Sequence, residues 1–279
     1  FLDRDLAAGF DVFAIQRNLQ RESSYDSSSL GGALRLGFGY NESWRQQINY
    51  TAKQDKVENV KSTASTVIKQ QEGTYVQSSV GQVLSYDTRD SRVHPFEGHV
   101  IRLTNDVAGL GGTDRFLRTN LDVAQYFSLG EQWVLKLSAD TGYIAGLGKD
   151  VRIGQRYFLG GDTLRGFSVA GVGPRDKASK DALGGNWMVS GTAEMTFPLG
   201  LPKELGISGK AFSDFGTLGQ FDGLKSTGVD YAATMRVSVG TGVVWESPMG
   251  PLSIDLGVPL RKEAFDKTEI FRFNFGTRF

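Results

Sequence analysis

The sequence contains no cysteine and only two histidines among its 279 residues. Without cysteine the chain can form neither disulfides nor thiolate metal sites. Positive and negative side chains balance at 31 each, so the formal net charge is zero. A neutral chain gives no support for bulk attraction to nucleic acid, and we expect no nucleic-acid partner.

Long apolar runs are also missing. No segment approaches the roughly 18 to 20 consecutive apolar residues that a membrane-spanning helix needs. This excludes a helical membrane protein but leaves a membrane β-barrel possible, because barrel strands alternate lipid-facing and lumen-facing residues. Residues 1–4 carry charge where a signal peptide would have its apolar core. We therefore expect a processed or truncated N-terminus.

Residue patterns typical of catalysis are absent as well. His94 and His99 have no third ligand at metal spacing. Segment 87–90 resembles a charged turn more than a general acid–base pair. The glycines of 109–112 follow no phosphate-binding strand–helix unit. We predict that the protein is not an enzyme and uses no cofactor or metal.

What the sequence does have is a period of two. Near the C-terminus, Phe271, Phe273, Phe275 and Phe279 alternate with polar residues or glycine, and alternation of this kind predicts half-buried β-strands. The same pattern recurs along the chain and predicts twelve strands. They lie near 5–17, 29–41, 43–56, 74–88, 98–108, 116–127, 132–144, 186–198, 205–216, 232–247, 250–258 and 270–279.

The connections between these strands largely alternate between short and long. Outer-membrane barrels do this, with short periplasmic turns and longer outer loops. The predicted connections near residue 42 and at 128–131 and 248–249 are very short, and those at 89–97 and 199–204 are moderate. The longer, mostly polar connections are 18–28, 57–73, 145–185, 217–231 and 259–269, while 109–115 is short.

The two faces of the strands differ chemically. One carries apolar residues, including Leu117, Leu121, Val123, Trp133, Leu135, Leu137, Phe197 and the C-terminal phenylalanines. The other carries five charges of each sign, on Arg118, Asp122, Lys136, Asp140, Glu194, Lys210, Asp214, Arg236, Asp255 and Arg272. A soluble sandwich would bury the first face, whereas a membrane barrel would expose it to lipid. Periodicity alone does not decide between them.

Three features favour the membrane barrel. Many strands approach the nine to eleven residues needed to cross a bilayer, and the chain ends on an apolar aromatic, Phe279. In addition, aromatic residues lie near strand ends, as in interfacial girdles. These are Tyr40, Trp44, Tyr126, Phe127, Trp133, Tyr143, Trp245 and Phe279. We predict an all-β fold, an antiparallel transmembrane β-barrel of about twelve strands that forms a single domain over 1–279.

One connection, 145–186, is far longer than the others. Its first half is rich in glycine and aromatic residues, which need a surface to bury against, and we predict that it inserts into the barrel lumen. A lone loop arginine is by default solvated, but a buried Arg165 would need a carboxylate partner. Glu194 and Asp214 are the best candidates because both lie on the polar phase of the strands that follow the loop.

The residues Leu164, Arg165, Gly166 and Phe167, preceded by Gly-Gly-Asp-Thr, resemble the loop-six motif of the BamA branch of outer-membrane insertion and translocation barrels. In that family acidic residues matching Glu194 and Asp214 hold the motif arginine. Further similarities lie in 184–186, where the loop rejoins the barrel, and in the 247–252 turn. The C-terminal strand resembles the family's closing signal through Phe271, Phe273, Phe275, Gly276 and Phe279.

The resemblance implies that the chain matches the last twelve of sixteen family strands, truncated at its N-terminus and without the periplasmic POTRA domains. It implies a protein assembly factor that folds and inserts barrel proteins into the bacterial outer membrane. Its partners would be outer-membrane lipid, nascent β-barrel clients and accessory lipoproteins, the last through the missing POTRA domains. Strand 270–279 would be part of the lateral seam. A plain closing strand with an aromatic anchor explains those residues equally well.

Two other functional classes remain open from the sequence. The chain could be a secretion channel of the two-partner type or a passive pore, whose lumen charges would tune permeation. It could also be a soluble all-β binding protein or enzyme, which would stay soluble and monomeric without detergent.

Overall fold

The computed structural model of the chain describes residues 6–220, 228–247 and 250–276. Twelve strands form one antiparallel sheet in which each strand pairs with its neighbours along the chain. All twelve predicted strands are present. They are Leu6–Leu19 (β1), Tyr25–Gly39 (β2), Trp44–Glu58 (β3), Gly73–Asp87 (β4), Gly98–Gly112 (β5), Phe116–Gly130 (β6), Trp133–Gly146 (β7), Trp187–Pro198 (β10), Ile207–Gly219 (β11), Arg236–Ser247 (β13), Gly250–Arg261 (β14) and Phe271–Phe275 (β16).

The remaining elements are short and lie in the connections. Strands β8 (Gly166–Phe167) and β15 (Thr268–Glu269) pair with each other, as do β9 (Arg175–Asp176) and β12 (Val229–Asp230). Helix α1 has four residues, Thr66–Lys69, and two single 3₁₀ turns lie at Ile153–Gln155 and Lys203–Leu205. No helix in the described part of the chain has the length and hydropathy needed to cross a membrane.

The structure settles which face of the sheet is outside. Apolar residues of the first face are exposed, with Leu121 at 37% and Phe273 at 56% of full exposure. Charged residues of the second face are buried, including Arg236 at 0% and Asp255 at 1%. This is the reverse of a soluble sandwich and confirms the predicted membrane barrel. We call the charged side the luminal face and the apolar side the outward face.

The connections divide between two ends of the sheet. The short-turn end holds connections 40–43, 88–97, 131–132 and 199–206, and the long-loop end holds 59–72, 147–186, 228–235 and 262–270. The first connection of the long-loop end, 20–24, is much shorter than the predicted 18–28. Ser27 and Ser28, predicted as loop, belong to β2, where Ser28 Oγ donates to Glu58 Oε1 of β3 at 3.2 Å. Tyr25 begins the strand in a buried position.

Contacts between distant strands show that the sheet curls around its luminal face. At the short-turn end, His94 Nδ1 lies 2.9 Å from Glu246 Oε1, which joins the 88–97 connection to β13. At the long-loop end, the Ala182 amide donates to the Glu22 carbonyl at 2.9 Å. Within the described residues, however, no ladder joins β1 to β16: β1 pairs with β2, and β16 pairs with β14.

Because the outward face contacts lipid, we predict that a charge introduced there lowers the stability of the folded protein, and that the loss is larger deeper in the membrane. Leu121 lies near the middle of β6, whereas Leu129 lies beside the turn that follows it. We expect Leu121→Arg to destabilise the folded protein in lipid by about 2–4 kcal/mol, and Leu129→Arg by about 0–1 kcal/mol. Urea unfolding in liposomes measures both values. Equal costs at the two positions would contradict the assignment of this face to lipid.

Candidate functional site

Residues 147–186 connect β7 to β10 and pack against the luminal face. Their apolar side chains are buried in small clusters instead of facing solvent, as for Ile153 and Leu159, both 0% exposed. The predicted motif residues Leu164 and Phe167 are also 0% exposed. They form a cluster with Leu159, Val172 of the loop and Leu218 of β11. This packing excludes water on both sides of the arginine that lies between them in sequence.

Arg165 makes a two-pronged ion pair with Asp214. Its Nε donates to Asp214 Oδ2 and its Nη2 to Asp214 Oδ1, both at 2.7 Å. The Arg165 backbone amide also donates to Asp214 Oδ2, at 3.0 Å. The third nitrogen, Nη1, donates to Glu194 Oε2 at 2.5 Å. The structure therefore brings the motif arginine together with both acidic residues named from the sequence.

Strand register explains why these groups meet. Glu194 of β10 lies opposite Phe212 of β11, and Thr192 lies opposite Asp214, all on the luminal side. Thr192 Oγ1 donates to Asp214 Oδ1 at 2.9 Å, which adds another bond to that carboxylate. The guanidinium of Arg165 lies 3.4 Å from the centre of the Phe212 ring. This stacking adds a cation–π contact to the ion pair.

Phe212 was not predicted as a site residue, because an aromatic among luminal charges breaks the pattern. The signal that could have revealed it is Gly240, which neighbours it in the sheet. A Cβ on Gly240 would come within 2.3 Å of the Phe212 ring. Glycine at this position lets the ring lie against β13 and serve as a platform for the guanidinium.

Gly166 allows the motif backbone to lie directly on the sheet. Its φ of +90° is in the left-handed region, and a Cβ there would lie 3.1 Å from Ser238 Cβ. Across the contact, a Cβ on Gly257 of β14 would lie 2.7 Å from the Gly166 nitrogen. Two facing glycines thus permit a backbone-to-backbone approach that larger residues would block.

The motif is also tied to the segment that leads into the last strand. In the β8–β15 pair, Gly166 lies opposite Glu269 and Phe167 opposite Thr268. The next residue, Ser168, donates its backbone amide to the Lys267 carbonyl at 3.0 Å. The loop motif therefore holds the start of β16 as well as β10 and β11.

The predicted C-terminal residues lie on β16 and just beyond it. Phe271, Phe273 and Phe275 point outward and are 56–64% exposed. Between them Arg272 faces the lumen and bonds Glu269 Oε2 at 2.5 Å and Asp162 Oδ1 of the loop at 3.3 Å. Gly276 has a φ of +103°, and its amide donates to the Pro251 carbonyl. Phe279 lies outside the described residues.

A second anchor, which sequence reasoning missed, lies at Gln155. Its Nε2 donates to Asp55 Oδ2 of β3 at 3.1 Å and to Gln77 Oε1 of β4 at 3.0 Å. Arg118 of β6 donates to both its backbone carbonyl (2.7 Å) and its Oε1 (2.9 Å). Tyr157 adds a hydroxyl bond to Asn120 Oδ1 at 2.5 Å. The loop is thus attached to β3, β4 and β6 as well as to β10 and β11.

Two aspartates fix the later part of the loop to neighbouring connections. Asp181 accepts from Ser24 Oγ at 2.7 Å and from the Ser65 amide at 2.8 Å, and Asp176 accepts from Ser65 Oγ at 3.0 Å. Burial raises the pKa of the Asp176 carboxyl, but hydrogen bonds from Ser179, Ser65 and Ala178 outweigh it and hold that pKa below its usual range.

Other luminal charges are paired as well. Lys210 Nζ lies 2.8 Å from Asp255 Oδ1, and Arg236 Nε lies 2.9 Å from Asp266 Oδ2. At the short-turn end, Asp87 pairs with Arg89, which agrees with the charged-turn interpretation of 87–90. No group of three His, Asp or Glu side chains suited to a metal occurs in the described parts of the chain.

Comparison with protein families matches the whole chain, residues 1–279, to the Omp85 superfamily domain. The chain belongs to the Omp85 superfamily. This assigns the barrel to a family of outer-membrane proteins and confirms the resemblance that the loop motif and C-terminal strand indicated.

Individual Omp85 relatives agree. The chain is 34% identical, over 99% of its length, to the outer membrane protein assembly factor BamA of Neorickettsia risticii (strain Illinois). It is 26% identical, over 98% of its length, to BamA of Nitratidesulfovibrio vulgaris. It covers 37% and 34% of those two proteins, so it spans about a third of the length of the curated relatives it matches.

Among solved structures, the chain resembles the crystal structure of BamA from Haemophilus ducreyi lacking POTRA domains 1–3. The TM-score is 0.82 at 22% identity, and the alignment covers 96% of this chain and 58% of that one. At this identity the similarity shows the fold. It supports the twelve-strand wall described above as part of an Omp85 barrel.

The first prediction from this Omp85 site concerns Asp214. Asp214→Asn leaves Arg165 buried without its two-pronged partner, so we expect a loss of about 3–5 kcal/mol in the free energy of unfolding. Glu194→Gln removes a single, more exposed bond and should cost about 1–3 kcal/mol. Denaturant unfolding in detergent micelles measures both.

Asp11→Asn is the matched control, since its pair with Arg35 is exposed on both sides. It should change stability by about 0–1 kcal/mol. If Asp214→Asn cost no more than Asp11→Asn, the buried ion pair would not hold the loop.

The second prediction concerns Gln155. Gln155→Leu keeps the side-chain size but removes the bonds to β3 and β4, so we expect the first part of the loop to detach. A Val151→Cys reporter measures this, because Val151 is buried in its own cluster and the chain has no other cysteine. We expect faster thiol labelling of the reporter in Gln155→Leu.

Gln47→Leu serves as the control for this experiment. Gln47 lies on the luminal face of β3, as Asp55 does, and it makes no hydrogen bond to the loop in the described part of the chain. Labelling that rises equally in both variants would contradict an anchor at Gln155.

Proposed function

We propose that the chain is the barrel portion of a bacterial outer-membrane protein assembly factor, which folds and inserts β-barrel proteins into that membrane. The observation that carries this proposal is that one loop is attached both to strands β10 and β11 and to the segment that leads into β16. Arg165 bonds β10 and β11, and Gly166–Phe167 pairs with the segment leading into β16. The loop can therefore set the position of a strand at the sheet edge.

The last strand offers a suitable template for a client. Only five residues of β16 pair with β14, from Phe271 opposite Leu256 to Phe275 opposite Leu252. Its other edge carries no ladder within the described residues. An unpaired strand edge accepts another strand through backbone hydrogen bonds, and outward phenylalanines keep the new strand's surroundings apolar. No covalent step or nucleotide is needed, since the client's own folding and burial in lipid provide the driving force.

The relatives support a proposed location and proposed partners. A bacterial assembly factor matches 99% of this chain at 34% identity, which favours the bacterial outer membrane. The proposed partners are outer-membrane lipid on the outward face and nascent barrel clients at β16. The third proposed partners are accessory lipoproteins, which would bind POTRA domains.

A secretion channel or passive pore is the rival function. The described loop argues against a freely open lumen, because it is anchored on both sides of the luminal face at Gln155 and Arg165. Reconstitution in liposomes distinguishes the two. Accelerated insertion of an unrelated unfolded barrel supports assembly, whereas ion conductance without insertion supports a channel.

Arg165→Ala tests the role of the motif. We expect a several-fold fall in folded outer-membrane barrels when the variant is the host's sole copy, because the segment preceding β16 is no longer held. The measurement is the level of heat-modifiable client bands in isolated outer membranes. Arg35→Ala, which breaks an exposed pair, should leave those levels unchanged. Normal client levels with Arg165→Ala would show that the motif has no part in assembly.

A further inference from the structure

Four uncharged polar side chains form a continuous stripe on the outward face of β3 to β6. Gln46 Nε2 donates to Gln82 Oε1 at 2.8 Å, and Gln82 Nε2 donates to Asn105 Oδ1 at 3.1 Å. Asn105 Nδ2 then donates to Thr119 Oγ1 at 2.9 Å. Every bond runs in the same direction around the barrel. We call these four residues the amide stripe.

The stripe belongs to the lipid-facing side and not to the lumen. Residues on the same phase of each strand are exposed and apolar: Ile48 is 41%, Val80 40%, Val107 44% and Leu117 41% exposed. The luminal phase of the same strands is occupied by the residues that hold the loop, such as Arg118. The stripe is therefore a continuous polar path through a mostly apolar surface.

The amide stripe crosses the outward face diagonally. Gln46 lies near Trp44, where β3 begins at the short-turn end, and Thr119 lies near Phe116, where β6 begins at the long-loop end. Gln82 and Asn105 lie directly opposite each other on β4 and β5. A row of opposite residues is inclined to the membrane plane because barrel strands are tilted by about 35–45°. The ends of the stripe thus lie near the interfaces, and its middle lies within the hydrocarbon.

The middle of the stripe has hydrogen-bonding capacity left over. A side-chain amide has two N–H donors, and Gln82 and Asn105 each use one within the stripe. Neither has a second acceptor within the described residues. Water and headgroups can serve the ends, but in hydrocarbon an unmet donor is costly. A protein partner with polar groups at the same depth would meet that need, as Asn and Gln do between membrane helices.

We propose that this face binds a second copy of the chain through Gln82 and Asn105. Two copies in one membrane share its orientation, so their two-fold axis runs along the membrane normal. Two diagonal stripes that face each other about such an axis cross at one point, their middle. There Gln82 of one copy meets Asn105 of the other, and amides suit this because each both donates and accepts. The surface is separate from β1 and β16, so the proposal goes beyond the assembly function.

The double variant Gln82→Leu with Asn105→Leu tests the proposal. Energy transfer between labelled copies, measured over a lipid-dilution series in liposomes, gives the dissociation constant of the dimer. The two-fold axis repeats every contact, so each substitution removes two hydrogen bonds from the dimer. We therefore expect the dissociation constant to rise by about tenfold or more. The melting temperature should be unchanged or higher, since leucine suits lipid. Gln47→Leu on the luminal face is the control and should leave dimerisation unchanged.

Cysteine crosslinking locates the interface independently. Because the chain has no cysteine of its own, only the introduced residue can form a disulfide. Leu103→Cys lies beside Asn105 on the outward face of β5, and Val243→Cys lies on the exposed face of β13. We expect an oxidised dimer from Leu103→Cys and none from Val243→Cys. A protein that stays monomeric, a dimer linked through Val243, or a dissociation constant unaffected by the leucine pair would each overturn the proposal.

Discussion

The structure depends on how the charge of Arg165 is buried. A guanidinium that is 4% exposed is tolerable only with matched carboxylates, and Asp214 and Glu194 supply them from adjacent strands. Because the backbone amide of Arg165 also bonds Asp214, the pair fixes the main chain of the loop and not just a side-chain tip. The facing glycines 166 and 257 then bring that main chain onto β14. The position of the loop therefore depends on the pairing of β10 with β11, and the start of the last strand depends on the position of the loop.

A membrane barrel makes this arrangement necessary. With its apolar side facing lipid, the chain pairs charges on the luminal face, as Lys210 does with Asp255, and the long loop supplies Arg165 to Asp214 and Glu194. Gln155 performs the same task on the far side, where it bonds Asp55, Gln77 and Arg118 without a charge of its own. Anchors on both sides stiffen the wall. The loop pairs with the segment that precedes β16 and not with the backbone of β16 itself. Within the described residues, the edge of β16 that faces away from β14 therefore pairs with no other strand.

Much of this could be predicted from the sequence. A period of two reveals strands and their faces, and strand phase alone placed Glu194 and Asp214 toward the loop. Ser27 and Ser28 were predicted as loop because polar residues favour turns, but partners on β3 such as Glu58 extend the strand through them. Gln155 and Phe212 were not predicted, since their partners depend on which residues the folded chain brings together, and the signal at Gly240 has meaning only once β11 and β13 pair. The amide stripe was not predicted for the same reason, because Gln82 and Asn105 become neighbours only when β4 and β5 pair.

The mutual dependence of Arg165 and Asp214 is the central claim, and a double-mutant cycle tests it most directly. Arg165→Met leaves Asp214 buried without its cation, and Asp214→Leu leaves Arg165 with only its bond to Glu194, whereas the double variant removes both charges of the pair. Unfolding free energies in lipid should therefore show the double variant to be less destabilised than the sum of the singles, by about 1–3 kcal/mol. Strictly additive effects would contradict the account, because they would mean that the two charges do not depend on each other.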